Sequence, residues 1–170
     1  MESAIRDLAR RIRMLLIDVD GVLTDGGLYY FSEEGFALRF HVRDGFGLRQ
    51  AVSRGLIVGL VSGRSSPQVR RRGEELGLQE IHLGVKHKAG VVREILQRRE
   101  IQPEAACFMG DDVVDLEAME IVGLPVAVAD AMPRVKAAAR LVTRAAGGQG
   151  AVREVVDLLL DVRSEKREDR

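Results

Sequence analysis

Runs of consecutive apolar residues recur along this chain, and each run is short and bounded by polar residues or glycine. Unbroken apolar stretches of this length are typical of strands that are buried on both faces of a sheet. We therefore expect buried strands at residues 14–17, 56–61, 105–109 and 125–128.

Between these runs, apolar residues recur at helical spacing. Strands that alternate with helices predict an α/β fold, with a three-layer, Rossmann-like parallel sheet covered by helices on both faces. The charged tail at residues 163–170 is expected to be frayed. The periodicity predicts helices at residues 47–54, 67–76, 88–99, 113–122, 133–140 and 150–162.

A predicted β-hairpin interrupts this alternation. Residues 28–31 and 37–40 are rich in aromatic and aliphatic side chains, and a turn containing Gly35 separates them, so we place the hairpin at about residues 26–41. Its apolar side chains either pack on their own domain or form a contact between subunits, and the sequence favours neither. The other intervals leave no room for a cap domain, so we expect a single domain over residues 1–170.

The composition argues against several classes of protein. The 26 basic and 26 acidic residues balance, which leaves no electrostatic footprint for nucleic acid or for an anionic membrane. No apolar stretch approaches the ~20 residues needed to span a bilayer, and the N-terminal segment lacks the apolar core of a signal peptide. The single cysteine, Cys107, cannot form an internal disulfide, which fits a reducing cytoplasm.

Two carboxylates follow the first predicted strand. Asp18 and Asp20 come directly after the apolar run, and Gly21 allows the chain to turn sharply. Ligands of open parallel sheets bind beyond the carboxyl ends of the strands, so both carboxylates are expected to face one crevice. Burying them so close together costs free energy unless a cation compensates. For this pair alone, a solvated acidic turn is the alternative interpretation.

Groups that suit a phosphate lie after two further strands. Ser62 and Gly63 end the second predicted strand, where a hydroxyl and a free backbone amide can bind phosphate oxygens, although an ordinary turn is the alternative. Lys88 opens a predicted helix and can offer a point charge to a phosphate, with Lys86 as a competing candidate. Only four of the 26 basic residues are lysines, so there are few candidates for this role.

A second acidic cluster follows the third predicted strand. Asp111, Asp112 and Asp115 come directly after Gly110, and the last two lie on one side of a helix start. Capping of that helix accounts for one acid but not for three. Carboxylate oxygens in such a cluster suit Mg²⁺. A nucleophile, an acid, phosphate donors and a metal site are together what phosphoryl transfer requires.

The order of these motifs resembles the haloacid dehalogenase superfamily and, within it, the octulosonate-phosphate phosphatase branch. The resemblance extends over residues 15–160. It rests on Asp18-x-Asp20, Ser62, Lys88 and Gly110-Asp111-Asp112-x-x-Asp115, and on the stretches DVDGVLTDG at residues 18–26, RDGFG at 43–47 and GGQGAVRE at 147–154.

The resemblance implies roles for the catalytic groups. Asp18 is expected to attack phosphorus and to form an aspartyl-phosphate. Asp20 is expected to protonate the leaving oxygen and then to activate water, help that is typically worth ~10²–10⁴-fold in rate. Ser62 and Lys88 are expected to hold the phosphoryl oxygens.

The resemblance also implies a bound Mg²⁺ ion. Its expected ligands are Asp18, the backbone carbonyl of Asp20, and Asp111. Asp112 or Asp115 is expected to act through water or to orient the catalytic lysine.

Substrate and assembly are implied in the same way. Arg64 is expected to bind the carboxylate of 3-deoxy-D-manno-octulosonate 8-phosphate, a lipopolysaccharide precursor, with Gly63 and Arg72 as further substrate contacts. For Arg72, a solvated helix position is the alternative. Nonulosonate 9-phosphates or other small sugar phosphates are alternative substrates. A homotetramer built on the hairpin is expected to cover the crevice, and residues 147–150 are expected to close over a site as a mobile lid.

Two other classes of protein compete with this interpretation. A receiver domain also places an acidic cluster, a phosphorylated aspartate and a lysine on a parallel sheet, but in a different order along a shorter chain. A non-catalytic assembly module is disfavoured because Asp18, Asp20, Lys88 and Asp111 are all present.

Overall fold

Parallel strands form the central sheet of the computed structural model, which describes residues 2–31 and 35–168. The strands are β1 (Met14–Ile17), β2 (Tyr29–Tyr30), β3 (Phe36–Ala37), β4 (Ile57–Ser62), β5 (Glu80–Leu83), β6 (Ala106–Gly110), β7 (Leu124–Ala127) and β8 (Leu141–Val142). Six of them form one sheet in the order β5-β4-β1-β6-β7-β8, in which every pairing is parallel, while β2 and β3 form a separate antiparallel hairpin.

Helices pack on this sheet in two groups. Helix α7 contacts both α1 and α2, and α4 packs against α5. The α/β fold class predicted from the alternation of apolar runs and helices is therefore confirmed. The helices are α1 (Glu2–Ala9), α2 (Val42–Ser53), α3 (Pro67–Glu75), α4 (Lys88–Arg98), α5 (Leu116–Met119), α6 (Pro133–Ala138) and α7 (Ala151–Glu168).

Strand β1 lies in the middle of the sheet and is completely buried. Its last residue, Ile17, pairs with Leu60 of β4 on one side and with Met109 of β6 on the other. Because all three strands run in the same direction, the residues that follow them emerge side by side at one edge of the sheet. This register brings together the three polar segments that were singled out from the sequence.

The structure adds two short strands and a helix to those expected. Strands β5 and β8 lie at the two edges of the sheet, where partly exposed residues interrupt the apolar pattern. Helix α1 corresponds to the charged N-terminal segment, whose apolar residues Leu8 and Ala9 pack on the core. Edge strands and surface helices carry weaker hydrophobic signals than central strands, because only part of each is buried.

One expectation about helices is corrected. The predicted helix at residues 113–122 is instead a short 3₁₀ turn, Val113–Asp115, followed by the single-turn helix α5, and Asp112 and Asp115 form a capping box at its start. Helix α7 continues to Glu168, so residues 163–168 are helical in the structure, while fraying of this tail stays a prediction. Arg163 donates to the Ile12 carbonyl at 3.0 Å and tethers this part of the helix.

The hairpin is present, although its turn at residues 32–34 lies outside the described residues. The rings of Tyr30 and Phe36 lie 6.4 Å apart, and Tyr29, Tyr30 and Phe31 are all largely exposed. Of the two alternatives for these side chains, packing on their own domain is therefore not observed for the three exposed aromatics. None of the helices described is both long and apolar enough to cross a membrane.

The glycine-rich turn at residues 147–150 packs against the loop after β1 in this structure, and its closure over a site stays a prediction. The backbone N–H of Gly148 donates to the Val22 carbonyl at 2.9 Å, and that of Gly147 donates to Asp130 Oδ1 at 2.9 Å. A Cβ atom at Gly147 would lie only 1.8 Å from the Gly21 carbonyl oxygen. The absence of a side chain lets this turn pack directly against the loop after β1 and support it.

A buried carboxylate, Glu80, connects β5 to helix α4. It accepts hydrogen bonds from His82 Nε2 at 2.7 Å, Arg98 Nη2 at 2.6 Å and Arg99 Nε at 2.6 Å. Burial alone would raise the pKa of Glu80, but the hydrogen bonds from these three side chains lower it below its usual value. Glu80 is therefore charged and fully paired at neutral pH, and it holds the edge of the sheet against the end of α4.

Replacing Glu80 by alanine should destabilise the protein by about 1–2 kcal/mol, because three donors lose their common acceptor, although Arg98 and Arg99 are exposed enough to be rehydrated. Urea unfolding followed by circular dichroism measures the change. The matched control is Glu94→Ala on helix α4, since Glu94 is exposed and pairs with Arg98, one of the Glu80 partners, at 3.6 Å. The control should cost no more than about 0.5 kcal/mol. Equal losses in the two variants would show that Glu80 has no special structural role.

Candidate functional site

The loop after β1 is held in place by the strand beside it. Asp18 is buried, and its backbone N–H donates to the Met109 carbonyl at 3.0 Å. The irregular turn Val19–Leu23 then reverses the chain, with Gly21 at φ +86°. A Cβ atom at Gly21 would lie 2.2 Å from Asp111 Oδ2, so glycine is required both for the backbone conformation and for the approach of Asp111.

Lys88, the first residue of α4, lies between two carboxylates. Its Nζ atom is 2.8 Å from Asp18 Oδ1 and 2.6 Å from Asp115 Oδ1, and the side chain is buried. Lys86, the competing candidate, is exposed and lines the cavity without a carboxylate partner among the described residues. The structure therefore brings Lys88, and not Lys86, into contact with Asp18.

Asp115 fixes the backbone of the second acidic loop, residues 110–115, through hydrogen bonds. It is completely buried, and its Oδ2 atom accepts hydrogen bonds from the backbone N–H groups of Asp111 at 3.0 Å and Asp112 at 3.3 Å. Its other oxygen accepts from Lys88, so both oxygens of Asp115 are engaged. Asp112 is exposed, and its Oδ1 atom caps the following turn by accepting from Val113 N at 2.6 Å.

The proximity of these acids changes their ionisation. Burial, followed by the charge of Asp115, raises the pKa of Asp18 to about 7, although Lys88 partly offsets the effect. Burial, followed by the charges of Asp115 and Asp112, raises the pKa of Asp111 to about 6. Burial would lower the pKa of Lys88, but the charges of Asp18 and Asp115 outweigh it and raise that pKa above its usual value. The site therefore holds more negative charge than Lys88 alone compensates.

The same acids are suited to a divalent cation. Asp18, Asp111 and Asp115 each offer a carboxylate oxygen, and these atoms all lie within 4.8 Å of one another. Asp111 Oδ1 is buried and has no hydrogen-bond partner among the described residues, which leaves it free to accept a metal. The donors are all oxygen, which Mg²⁺ prefers. Because Asp115 is already occupied by Lys88 and by backbone amides, Asp18 and Asp111 are the better candidates for direct ligands.

Asp20 and Arg64 form an ion pair across the cavity. Arg64 Nε lies 3.1 Å from Asp20 Oδ2, and both side chains are partly exposed. The other carboxylate oxygen of Asp20, Oδ1, is buried and has no partner among the described residues. Ser62 is buried at the end of β4, where its hydroxyl accepts a hydrogen bond from Arg64 N at 3.2 Å.

These groups surround a cavity of about 650 Å³ beyond the carboxyl ends of the strands. Ser62 and Asp115 support this cavity without lining it. The lining contains Gly26, Val85 and Val114, which nothing in the sequence pattern distinguished from ordinary loop residues. The complete lining is Asp18, Asp20, Gly21, Gly26, Gly63, Arg64, Val85, Lys86, Lys88, Asp111, Asp112 and Val114.

Arg72 is the one predicted substrate contact that the structure places elsewhere. Its guanidinium lies over the Phe40 ring, 5.8 Å from the ring centroid, and 3.5 Å from Glu75. It does not line the cavity, because α3 carries it away from the strand ends. Binding of substrate by Arg72 therefore has no geometric support within this chain.

Known proteins share both the sequence and the geometry of this chain. The family described as haloacid dehalogenase-like hydrolase matches residues 80–155. The 3-deoxy-D-manno-octulosonate 8-phosphate phosphatase KdsC of Escherichia coli (strain K12) is 46% identical over 153 residues, which cover 89% of this chain and 81% of that protein.

Solved structures agree with this match. The 3-deoxy-D-manno-octulosonate 8-phosphate phosphatase of Yersinia pestis has a TM-score of 0.93 at 38% identity, over 95% of this chain and 87% of its own. The corresponding phosphatase of Moraxella catarrhalis, in complex with a magnesium ion, a phosphate ion and a KDO molecule, has a TM-score of 0.94 at 33% identity, over 97% of this chain and 95% of its own.

The resemblance inferred from the motifs is therefore confirmed, and the receiver domain is wrong as an alternative. The match to the Escherichia coli protein extends over most of both chains, and the solved relatives share the complete fold. On these grounds the chain belongs to the haloacid dehalogenase superfamily, in the family of the 3-deoxy-D-manno-octulosonate 8-phosphate phosphatases.

Proposed function

We propose that this protein is a Mg²⁺-dependent phosphatase that releases phosphate from 3-deoxy-D-manno-octulosonate 8-phosphate during the synthesis of lipopolysaccharide precursors. The observation that carries the proposal is the position of Lys88 between Asp18 and Asp115, beside Asp111, at the end of the central strand. This arrangement offers a nucleophile, a cation for the phosphoryl group and oxygen ligands for a metal in one cavity. The named relatives act on the same sugar phosphate.

In the proposed first step, an Asp18 oxygen attacks phosphorus and forms a new P–O bond. The bond between phosphorus and the sugar oxygen breaks, and Asp20 gives its proton to that oxygen. In the second step, Asp20 removes a proton from water, the resulting hydroxide attacks phosphorus, and the bond to Asp18 breaks. The products are the free sugar acid and phosphate, and both aspartates return to their starting states.

The remaining groups stabilise charge on the phosphoryl oxygens. Lys88 and Gly63, which line the cavity, are proposed to bind these oxygens, and the buried Ser62 hydroxyl is proposed to join them when substrate is bound. Electrostatic stabilisation of this kind usually contributes more to the rate than any other single effect. A Mg²⁺ ion held by Asp18, the Asp20 carbonyl and Asp111 would neutralise part of the developing charge. Asp115 is proposed to orient Lys88, since both its oxygens are already engaged.

The proposed substrate follows from Arg64. Its guanidinium lines the cavity and can bind the carboxylate of a sugar acid. Nonulosonate 9-phosphates carry the same carboxylate and are the alternative.

The open cavity and the exposed aromatic residues of the hairpin also support a homotetramer, in which neighbouring chains cover the site. The unpaired Cys107 fits a cytoplasmic location. We also propose a single domain over residues 1–170, because the six parallel strands form one sheet around one hydrophobic core.

Replacing Asp18 by asparagine should reduce phosphate release by at least about 10³-fold, because the nucleophile is lost. The measurement is phosphate release with Mg²⁺, with the octulosonate 8-phosphate and nonulosonate 9-phosphates assayed side by side. The control is Asp157→Asn, which changes a surface ion pair with Arg153 and should keep wild-type activity. Activity that survives Asp18→Asn would contradict the covalent mechanism, and a preference for nine-carbon substrates would replace the substrate assignment.

Magnesium should bind more tightly as the pH rises from about 5 to about 8. The pKa values of Asp18, about 7, and Asp111, about 6, lie above the usual carboxyl range, so protons compete with the cation at low pH. Isothermal titration of the protein with Mg²⁺ should show up to about tenfold weaker binding per pH unit between those two pKa values, and up to about hundredfold per pH unit below both, where two protons compete with the cation. Asp111→Asn should weaken binding and flatten this dependence. Equal affinity at low and high pH would contradict the assignment of these ligands.

The protein should sediment as a tetramer of its 18.7 kDa chain. Tyr30→Lys should shift it towards smaller species, because Tyr30 is 74% exposed in the single chain and a buried lysine charge would be costly in a contact. Met132→Lys is the matched control, since Met132 is 51% exposed and lies outside the hairpin. A fully active wild-type monomer in analytical ultracentrifugation would rule out the tetramer.

A further inference from the structure

Arg64 fixes the orientation of the Asp20 carboxylate in this structure. Oδ2 accepts the hydrogen bond from Arg64 Nε at 3.1 Å, and Oδ1 is buried without a partner among the described residues. A carboxylate that exchanges protons with a leaving oxygen must reach that oxygen directly, at hydrogen-bond distance. While Arg64 holds Oδ2 and Oδ1 stays buried, the carboxylate is directed away from a leaving oxygen, and it is better placed to act once it leaves Arg64.

Arg64 is well placed to be drawn away from Asp20 by another anion. Its side chain is 39% exposed and lines the same cavity as Asp20, whose side chain is 27% exposed. A guanidinium binds a carboxylate most strongly through two parallel hydrogen bonds, whereas only one hydrogen bond to Asp20 is present here. A ligand carboxylate in the cavity can therefore offer Arg64 a better partner.

We propose that the Arg64–Asp20 ion pair is a latch that the substrate's own carboxylate releases. On the mechanism proposed above, which this inference presupposes, the sugar-acid carboxylate binds Arg64 and displaces Asp20. Asp20 then takes up a proton from the solvent in the open cavity and rotates towards the leaving oxygen, to which it gives that proton as the bond to phosphorus breaks. Arg64 is thus a specificity-determining residue that acts on turnover as well as on binding.

The strength of the latch is set by the exposure of the pair. Partly exposed ion pairs are weak, and removing one shifts an equilibrium by at most roughly fivefold. A phosphate ester that lacks a carboxylate leaves most molecules latched, so only the minor population with a free Asp20 turns over. Such a substrate should bind through its phosphate and yet react slowly.

This device gives selectivity to a cavity with no cap domain over it. Neutral sugar phosphates can enter and occupy the phosphate-binding groups, but they cannot pull Arg64 from Asp20. The discrimination between substrates then appears as a difference in kcat. A residue that only contacted the substrate would change mainly KM.

The test compares two substrates that differ in one group: the octulosonate 8-phosphate and its C1 carboxamide. Both are assayed with saturating Mg²⁺ on the wild type, on Arg64→Met and on Lys86→Ala. Methionine keeps the apolar length of arginine but donates no hydrogen bond. Lys86→Ala removes the same charge from the same cavity without touching Asp20, and it controls for the general electrostatic effect.

With the wild type, kcat for the carboxamide should be about two- to fivefold below that for the carboxylate. Arg64→Met should raise kcat for the carboxamide by about two- to fivefold, and it should raise KM for the carboxylate roughly tenfold or more. Lys86→Ala should not raise kcat for the carboxamide. Arg64→Ala serves as a second variant if Arg64→Met does not fold.

Equal kcat values for the two substrates on the wild type would overturn the latch without recourse to any variant. A fall or no change in carboxamide kcat on a folded Arg64 variant would overturn it as well, and would leave Arg64 as a substrate contact only. Both outcomes are distinct from failure of the proposed function, in which the wild type would hydrolyse neither substrate or Asp18→Asn would remain active.

Discussion

The ammonium group of Lys88 lies between Asp18 and Asp115, and the geometry of the whole cavity depends on this contact. Three carboxylates converge at the end of the central strand, and Lys88 is the one buried cation in contact with them among the described residues. Breaking a buried charge pair typically costs about 3–5 kcal/mol, so Lys88 cannot be removed without disturbing the loop on either side. The negative charge that it leaves uncompensated is what makes the site receptive to a metal.

The scaffold supports this concentration of charge in three ways. The register of β1 with β4 and β6 brings the carboxyl ends of three strands to the same level. Gly21 removes the side chain that would collide with Asp111, and the turn at residues 147–150 packs against the back of the same loop. Each feature fixes the backbone, so packing and backbone hydrogen bonds elsewhere offset the free energy of gathering like charges.

The cavity is open, and its selectivity has to come from groups within reach of a substrate. Arg64 and Lys86 are the cations on its rim, and Arg64 is already bound to Asp20. In the proposed latch, the carboxylate of Asp20 and the carboxylate of the substrate compete for Arg64, so substrate binding and the release of Asp20 are coupled. The aromatic residues of the hairpin are exposed in the single chain, and the proposed tetramer would use them to cover the site.

The sequence by itself determined the class of fold and most of the candidates for the site. The buried strands show as unbroken apolar runs because both faces of each are covered, and Asp18, Asp20 and the acids after Gly110 stand out because they closely follow those runs. The sequence alone could not determine the edge strands, the end of α7 or the lengths of the helices, because tertiary contacts outweigh local preference at those positions.

Only the tertiary structure decided which of the candidate residues meet. It distinguished Lys88 from Lys86, placed Arg72 over Phe40, and put the glycine-rich turn against the loop after β1. It also showed that Arg64 pairs with Asp20. These outcomes depend on distances between residues far apart in the chain, and hydrophobic periodicity carries information only about neighbours within one element.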